Sequence, residues 1–414
     1  DKFTNQINTT VTTDIILANT TAPWWHTSWK TRKKINITNV GSSNLTDFPV
    51  YLNISKEPDM QSDYEDLRFV QFYSDASSQL DYEIENATSS NAHIWVRIPL
   101  LQTGVTAIYM YYNNSGASSG ENPTGVWNSS FVMVQHFDET SGDELDSTSN
   151  DNDAAVTGTT RDVEGIVGPA HDLSGSSQYL TVPNSPSLDV GAYFTAEAWV
   201  LWEGGTPNRD RIWDRKESYN GPDGWAVGLA TTDTAYHALG SSGDYSDIDV
   251  VTSWTAGEWH YIVTIFNASV FHTYSDSLLT SDGSIVSVVD NDRDLLLGEY
   301  GGGGYNWNGL FDEFRLSNVI RGPEWINQTY QLIANQDQYV EIGSEEIFIA
   351  TNSSETGIDG VWTWEWDTFG QGDGNYSAVS LASATDYLNG SDYVTFEIIP
   401  DTTKPTIELV SPPN

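Results

Sequence analysis

The sequence predicts an all-β protein built as serial antiparallel β-sandwiches, and three observations carry that expectation. Short apolar runs of period two recur along the chain, and clusters of turn residues separate them. The composition includes 16 Trp and 21 Tyr, large side chains suited to filling layered cores. At 414 residues the chain is too long for one ordinary core and is expected to divide into roughly two to four domains.

The elements follow in order. Residues 1–23 alternate loosely, as in Asn8–Leu17, and predict one extended strand with no partner in its own segment. Its backbone groups must pair elsewhere, either in a sheet of the same chain or in a neighbouring copy. Residues 24–128 carry Trp24–Thr38, Phe48–Ile54, Asp66–Phe69, Ile94–Pro99 and Ala107–Asn114, short alternating runs of a first sandwich. Four of the chain's 17 basic residues open this module, at Lys30, Arg32, Lys33 and Lys34. They are expected either to meet an acidic surface or to protect an exposed edge strand from aggregation.

Residues 129–344 form a larger block. It opens with Val134–Gly142 and the acidic turn Leu145–Asn152 and continues through Gly168–Gly175, Tyr179–Leu188 and Phe194–Val200. Near its end come Gly257–Phe266 and Asn308–Ser317. Residues 345–400 place Trp362, Trp364 and Trp366 on one face of a strand. Two further strands follow in this module, at Tyr376–Leu381 and Tyr393–Ile399. Residues 401–414 begin another strand or a linker. With about four strands where a full sandwich has about seven, the third module is open at one edge. The alternative is closure within the chain by residues 1–22 or 401–410.

These segments carry resemblances. The ordered series from Val134 to Ser317 resembles the laminin-G-like (concanavalin A-like) jelly-roll family, whose fold implies binding or display. Residues 24–128 look like an uncharacterised β-module of archaeal and bacterial surface proteins. Residues 345–400 resemble an immunoglobulin-like repeat of prokaryotic surface proteins. In the laminin-G-like family a calcium ion often lies where the early acidic turn meets the late Asp-Glu strand. The resemblance therefore implies Ca2+ at Asp146, Asn150, Asp151 and Asp312.

Charge and motifs narrow the function. There are 17 basic and 58 acidic residues, for a net charge of −41. That field repels nucleic acid and anionic membranes. No apolar run approaches the ~18 residues of a membrane helix, so direct membrane insertion is not expected of this segment. There is no Cys, which removes disulfides and thiol chemistry together. Asp1 is not an initiator Met and points to a processed or excerpted chain.

Acceptors of the N-x-[ST] type begin at Asn8, Asn19, Asn36, Asn44, Asn53, Asn86, Asn113, Asn128, Asn267, Asn327, Asn352, Asn375 and Asn389. Such a spread predicts an extracellular chain carrying N-linked glycans. The acidic pair a glycosidase needs is not recognisable, because no E-x-D-x-x-E strand occurs. Zinc and nucleophile motifs are missing too, so no catalytic residue is assigned. Aromatic residues in the loops of the jelly roll, Trp213, Trp225, Tyr305 and Trp307 with Tyr219, Tyr236 and Tyr245, are candidates for stacking on sugar.

The expected function is thus that of a non-enzymatic extracellular structural protein, the subunit of a filament or surface layer or an adhesin stalk. It would assemble with copies of itself by strand addition. The alternative is a calcium-dependent, lectin-like adhesin that binds glycans.

Overall fold

The alternating runs become four stacked β-layers in the computed structural model. The structure describes residues 24–73, 77–216, 224–231, 234–241, 244–251, 254–268, 270–284, 291–301 and 303–348. It also describes the backbone of the strands Val11–Thr13, Ser353–Glu355, Val361–Glu365, Gly374–Ala382, Gly390–Ile398 and Thr406–Val410.

The first sandwich packs a five-stranded sheet on a three-stranded one. The larger sheet runs Val340–Ile347, Thr31–Asn39, Gly104–Tyr112, Arg68–Phe72, Ser77–Gln79, and the smaller runs Leu45–Ser55, Asn91–Leu101, Tyr82–Ala87. Alternation supplies the core: Ile35, Ile37, Ile108 and Met110 from one sheet meet Val50, Leu52, Ile94 and Val96 from the other. Thr31–Asn39 lies inside its sheet, flanked by Gly104–Tyr112 and Val340–Ile347. The edge-strand expectation for its basic residues is therefore corrected. Their acidic partners belong to the same chain: Arg32 bonds Glu346 at 2.6 Å and Lys33 pairs with Glu57. The boundary expected at 344 is corrected as well, since Val340–Ile347 completes the first module's sheet after the whole jelly roll has intervened.

The jelly roll stacks two large sheets. One contains Thr160–Glu164, Pro169–Ser174, Asn308–Ser317, Tyr193–Trp202, Trp259–Asn267, Val270–Ser275 and Leu278–Ser284, with Phe131–Gln135 also paired to Asn308–Ser317. The other runs Ala155–Thr157, Tyr179–Val182, Leu295–Leu297, Asp210–Lys216, Gly224–Thr231, Thr234–Ser241, Asp244–Val251. Phe194, Phe311 and Phe314 meet Trp213, Trp225, Leu180 and Leu295 between them. Gly309 permits one close strand crossing: its φ is +145°, and a Cβ there would lie 1.9 Å from the Leu201 carbonyl oxygen.

The sequence reading expected strands only, yet Pro323–Ala334 is a helix. Pro at its first turn and Glu324 beside it suit a helix N-terminus. Trp325, Ile326, Leu332 and Ile333 are buried, and Trp325 meets Phe48 of the first sandwich edge-on at 4.6 Å. Among the described residues, no helix is long and apolar enough to cross a membrane.

At the ends of the chain, Val11–Thr13 pairs with Ser353–Glu355, Val361–Glu365 with Thr406–Val410, and Gly374–Ala382 with Gly390–Ile398. Val11–Thr13 and Thr406–Val410 are thus each paired with a strand between residues 353 and 365 of the same chain. The tryptophan stripe at 362–366 lies outside the residues whose side chains are described.

Candidate functional site

The outer face of the jelly-roll sheet at Tyr179–Val182, Leu295–Leu297 and Asp210–Lys216 forms a polar cleft. Antiparallel register aligns Thr181, Leu296 and Asp214 on neighbouring strands, and Leu180, Leu297 and Trp213 point the other way into the core. Tyr179, Thr181, Asp214, Lys216 and Leu296 form the floor, with Arg293 and Asp294 at one side and Glu299, Tyr300, Gly301 and Gly303 at the other. The volume is about 480 Å³. The glycine-rich segment turns back on itself, Gly303 donating to the Tyr300 carbonyl at 2.8 Å, and sets Tyr300 edge-on to Tyr305 at 5.9 Å.

The acids of the cleft are structurally engaged. Asp214 accepts from the Arg211 Nε at 2.7 Å and from the Lys216 amide at 3.0 Å. Burial raises its pKa, and the Arg211 charge opposes that rise. Asp294 accepts from the Asn184 amide at 2.8 Å, and Glu299 from the Asn306 side chain at 3.1 Å.

Three of the aromatic residues expected to stack on sugar are core residues. Trp213, Trp225 and Trp307 are at most 1% exposed, packed among the phenylalanines of the jelly roll, which corrects that expectation. Tyr305 stands beside the cleft, whereas Tyr179 and Tyr300, which line it, were not singled out for sugar binding. The side chains of Tyr219, Tyr236 and Tyr245 lie outside the described residues.

The residues named for calcium are dispersed. Asp146 caps its own turn, accepting from the amides of Val134, Thr148 and Asn152 and from the Thr148 hydroxyl at 2.8–3.0 Å. Asn150 donates to the Val132 carbonyl at 2.9 Å, Asp151 is exposed, and Asp312 accepts from the amides of Ile166 and Val167. Among the described residues, the groups that bring three candidate ligand atoms within 4.8 Å are Asp138–Glu139–Glu144 and Glu85–His136–Glu313. In the first, burial and the neighbouring Glu144 raise the Glu139 carboxyl to about 8. Glu144 also meets Arg161 at 2.8 Å and His171 at 2.9 Å.

The second group lies in a seam between the modules. The three-stranded sheet is buried on both faces: Val50 and Val96 face its own sandwich, while the cross-strand rung Tyr51, Trp95, Glu83 faces the jelly roll. Across from it stand Glu197, Trp199, Tyr261, Glu313 and Arg315, all at most 3% exposed. Arg315 bonds Glu313, lies 3.5 Å from Glu197 and stacks on Trp95 at 4.2 Å. Burial disfavours its charge, but Glu313 and Glu197 outweigh that and raise its pKa. Burial likewise opposes charging of His136, and Glu313, Glu83 and Glu85 together hold its pKa well above the ordinary value.

The fold is that of an all-β protein with a concanavalin A-like jelly roll. Residues 174–327 match the family described as the Concanavalin A-like lectin/glucanases superfamily, and residues 63–153 match a Domain of unknown function (DUF2341). No curated protein matches the chain.

Among solved structures, the binding domain of Paraclostridial Mosquitocidal Protein 1 is similar at 16% identity over 50% of this chain and 53% of that one, with a TM-score of 0.43. Domain 4 of AbnA, an extracellular arabinanase from Geobacillus stearothermophilus, solved with arabinotriose, is similar at 19% identity over 49% of this chain and 98% of that one, with a TM-score of 0.39. The botulinum neurotoxin serotype D binding domain is similar at 16% identity over 51% and 52% of the two chains, with a TM-score of 0.39. This chain thus spans about half the length of the first and third.

Proposed function

We propose that the protein is a non-enzymatic extracellular surface protein whose jelly roll holds carbohydrate in the cleft beside Tyr300. The cleft carries this reading: a concave site of about 480 Å³ pairs a half-buried tyrosine with fixed polar groups. Aromatic faces stack on sugar rings, and positioned polar side chains select hydroxyls. The superfamily match covers lectins and glucanases alike, and the engaged state of Asp214, Asp294 and Glu299 favours binding over acid and base catalysis. Asn44, Asn53 and Asn267 are exposed acceptors, in keeping with a glycosylated exterior. Calcium belongs to the proposal as a hard cation that takes oxygen ligands, and among the described residues Asp138–Glu139–Glu144 is an oxygen-only group suited to it.

On a glycan array in calcium buffer, the full chain is expected to retain a defined set of sugars, and Tyr300→Ala to weaken them at least about tenfold. No retention, or retention unchanged in the variant, would sink the cleft as the site. Release of reducing ends would make the protein an enzyme instead. Repetition with a chelator reads the calcium requirement separately.

Assembly through strand exchange is the second reading, and its support is the shortness of the pair Val11–Thr13 with Ser353–Glu355, only three residues long. A pair this short between segments far apart in the sequence can form equally between copies, and such head-to-tail contacts propagate. Deleting residues 1–22 is expected to abolish fibres while the jelly roll stays folded. Fibres of the truncated chain in electron micrographs would refute it.

A further inference from the structure

We propose that the seam between the first sandwich and the jelly roll holds one divalent transition-metal ion, ligated by Glu85, His136 and Glu313. Their ligand atoms lie within 4.8 Å of one another. Glu313 Oε1 is 2.6 Å and Glu85 Oε2 is 3.5 Å from His136 Nδ1. An imidazole nitrogen with two carboxylates is a donor set for zinc, manganese or iron in the divalent state.

Local backbone irregularity brings these groups together. Pairing slips between Ile84 and Asn86, so Glu85 is an extra residue in its strand. A second slip sets Glu313 and Phe314 against Ala198 alone, with Glu313 at φ +53°. Phe311 and Phe314 thereby both enter the jelly-roll core, and Glu313 turns to the seam beside Arg315. Bulges and left-handed non-glycine residues persist where they aim a side chain at a site.

Unpartnered buried atoms supply an independent indication. Glu85 Oε1 and His136 Nε2 have no hydrogen-bond partner, although these side chains are 0% and 4% exposed. Asp312 Oδ1 and Glu197 Oε2, in the same seam, are unpartnered too. The buried carboxyl groups of Glu83, Glu85, Glu197, Asp312 and Glu313 share the seam with Arg315 and His136, and burying charge without a counter-charge is costly. A divalent ion supplies the missing positive charge. Around it the supports are in place: Glu83 faces His136 Nε2 at 3.4 Å, Trp95 Nε1 donates to Glu85 at 2.7 Å, and Arg315 holds the second oxygen of Glu313. The enclosed position makes the ion a structural clamp between modules.

The full chain, equilibrated with Zn2+ or Co2+ and desalted, is expected to retain one ion per molecule by mass spectrometry of the metals. Glu85→Gln should lose that ion, whereas the exposed-surface control Glu258→Gln should keep it. Retention of no ion by the parent protein, or of the same ion by Glu85→Gln, would overturn the proposal. Should Glu85→Gln not fold, the parent protein decides alone: chelation must lower its melting temperature and Co2+ must restore it, and an unchanged melting temperature counts against the ion.

Discussion

Replacing Arg315 with Ala is expected to destabilise the protein by about 3–5 kcal/mol, because it removes one partner of a buried ion pair and leaves its carboxylates behind. The guanidinium is 3% exposed, bonds Glu313, faces Glu197 at 3.5 Å and stacks on Trp95 and Trp127 at 4.2 and 4.9 Å. Its loss therefore leaves two acids short of a counter-charge in the seam. A control separates charge from packing: Arg315→Leu combined with Glu197→Gln and Glu313→Gln should recover part of the loss, since a buried pair exchanged for neutral groups is often tolerated. Denaturant unfolding reads both, and an unfolding free energy for Arg315→Ala within about 1 kcal/mol of the parent protein would refute the argument.

Trp199→Ala is the second large effect, expected at about 3–5 kcal/mol as for other deletions of buried aromatic side chains. Trp199 is 2% exposed and lies between Tyr261 at 5.1 Å and Tyr330 at 5.6 Å, stacked on both. It belongs to the cluster that includes Trp95 and Val96 of the first sandwich, so the core does not stop at the module boundary. The parent protein should accordingly unfold residues 24–348 in one calorimetric transition, and the variant should lower that transition or divide it in two. Two well-separated transitions in the parent protein would show that the seam does not couple the modules.

Much of this architecture is legible along the chain. The runs Phe48–Ile54 and Ile94–Pro99 alternate as strands should, and both are strands. The seam left a signal that alternation alone passes over: Val50-Tyr51-Leu52 and Ile94-Trp95-Val96 put large aromatics where a one-sided sheet would place polar residues. A strand buried on both faces is the physical reason. The helix Pro323–Ala334 could also have been found, from Pro and Glu at its start and apolar residues at 325, 326, 332 and 333. The cleft was less accessible. Aromatic content nominated Trp213, Trp225 and Trp307, but which face of a strand meets water depends on the opposing sheet.

By itself the sequence determined the strand-rich character of this protein, its strong negative charge and the order of its jelly-roll segments, because those follow from local period, composition and turn chemistry. Tertiary structure alone decided that Val340–Ile347 returns to the first sandwich, that Tyr300 borders a cleft, and that Glu85, His136 and Glu313 meet. Each of those depends on strands far apart in the chain and on bulges that reverse a side chain, and pairing at such distance is fixed by the packing of whole sheets.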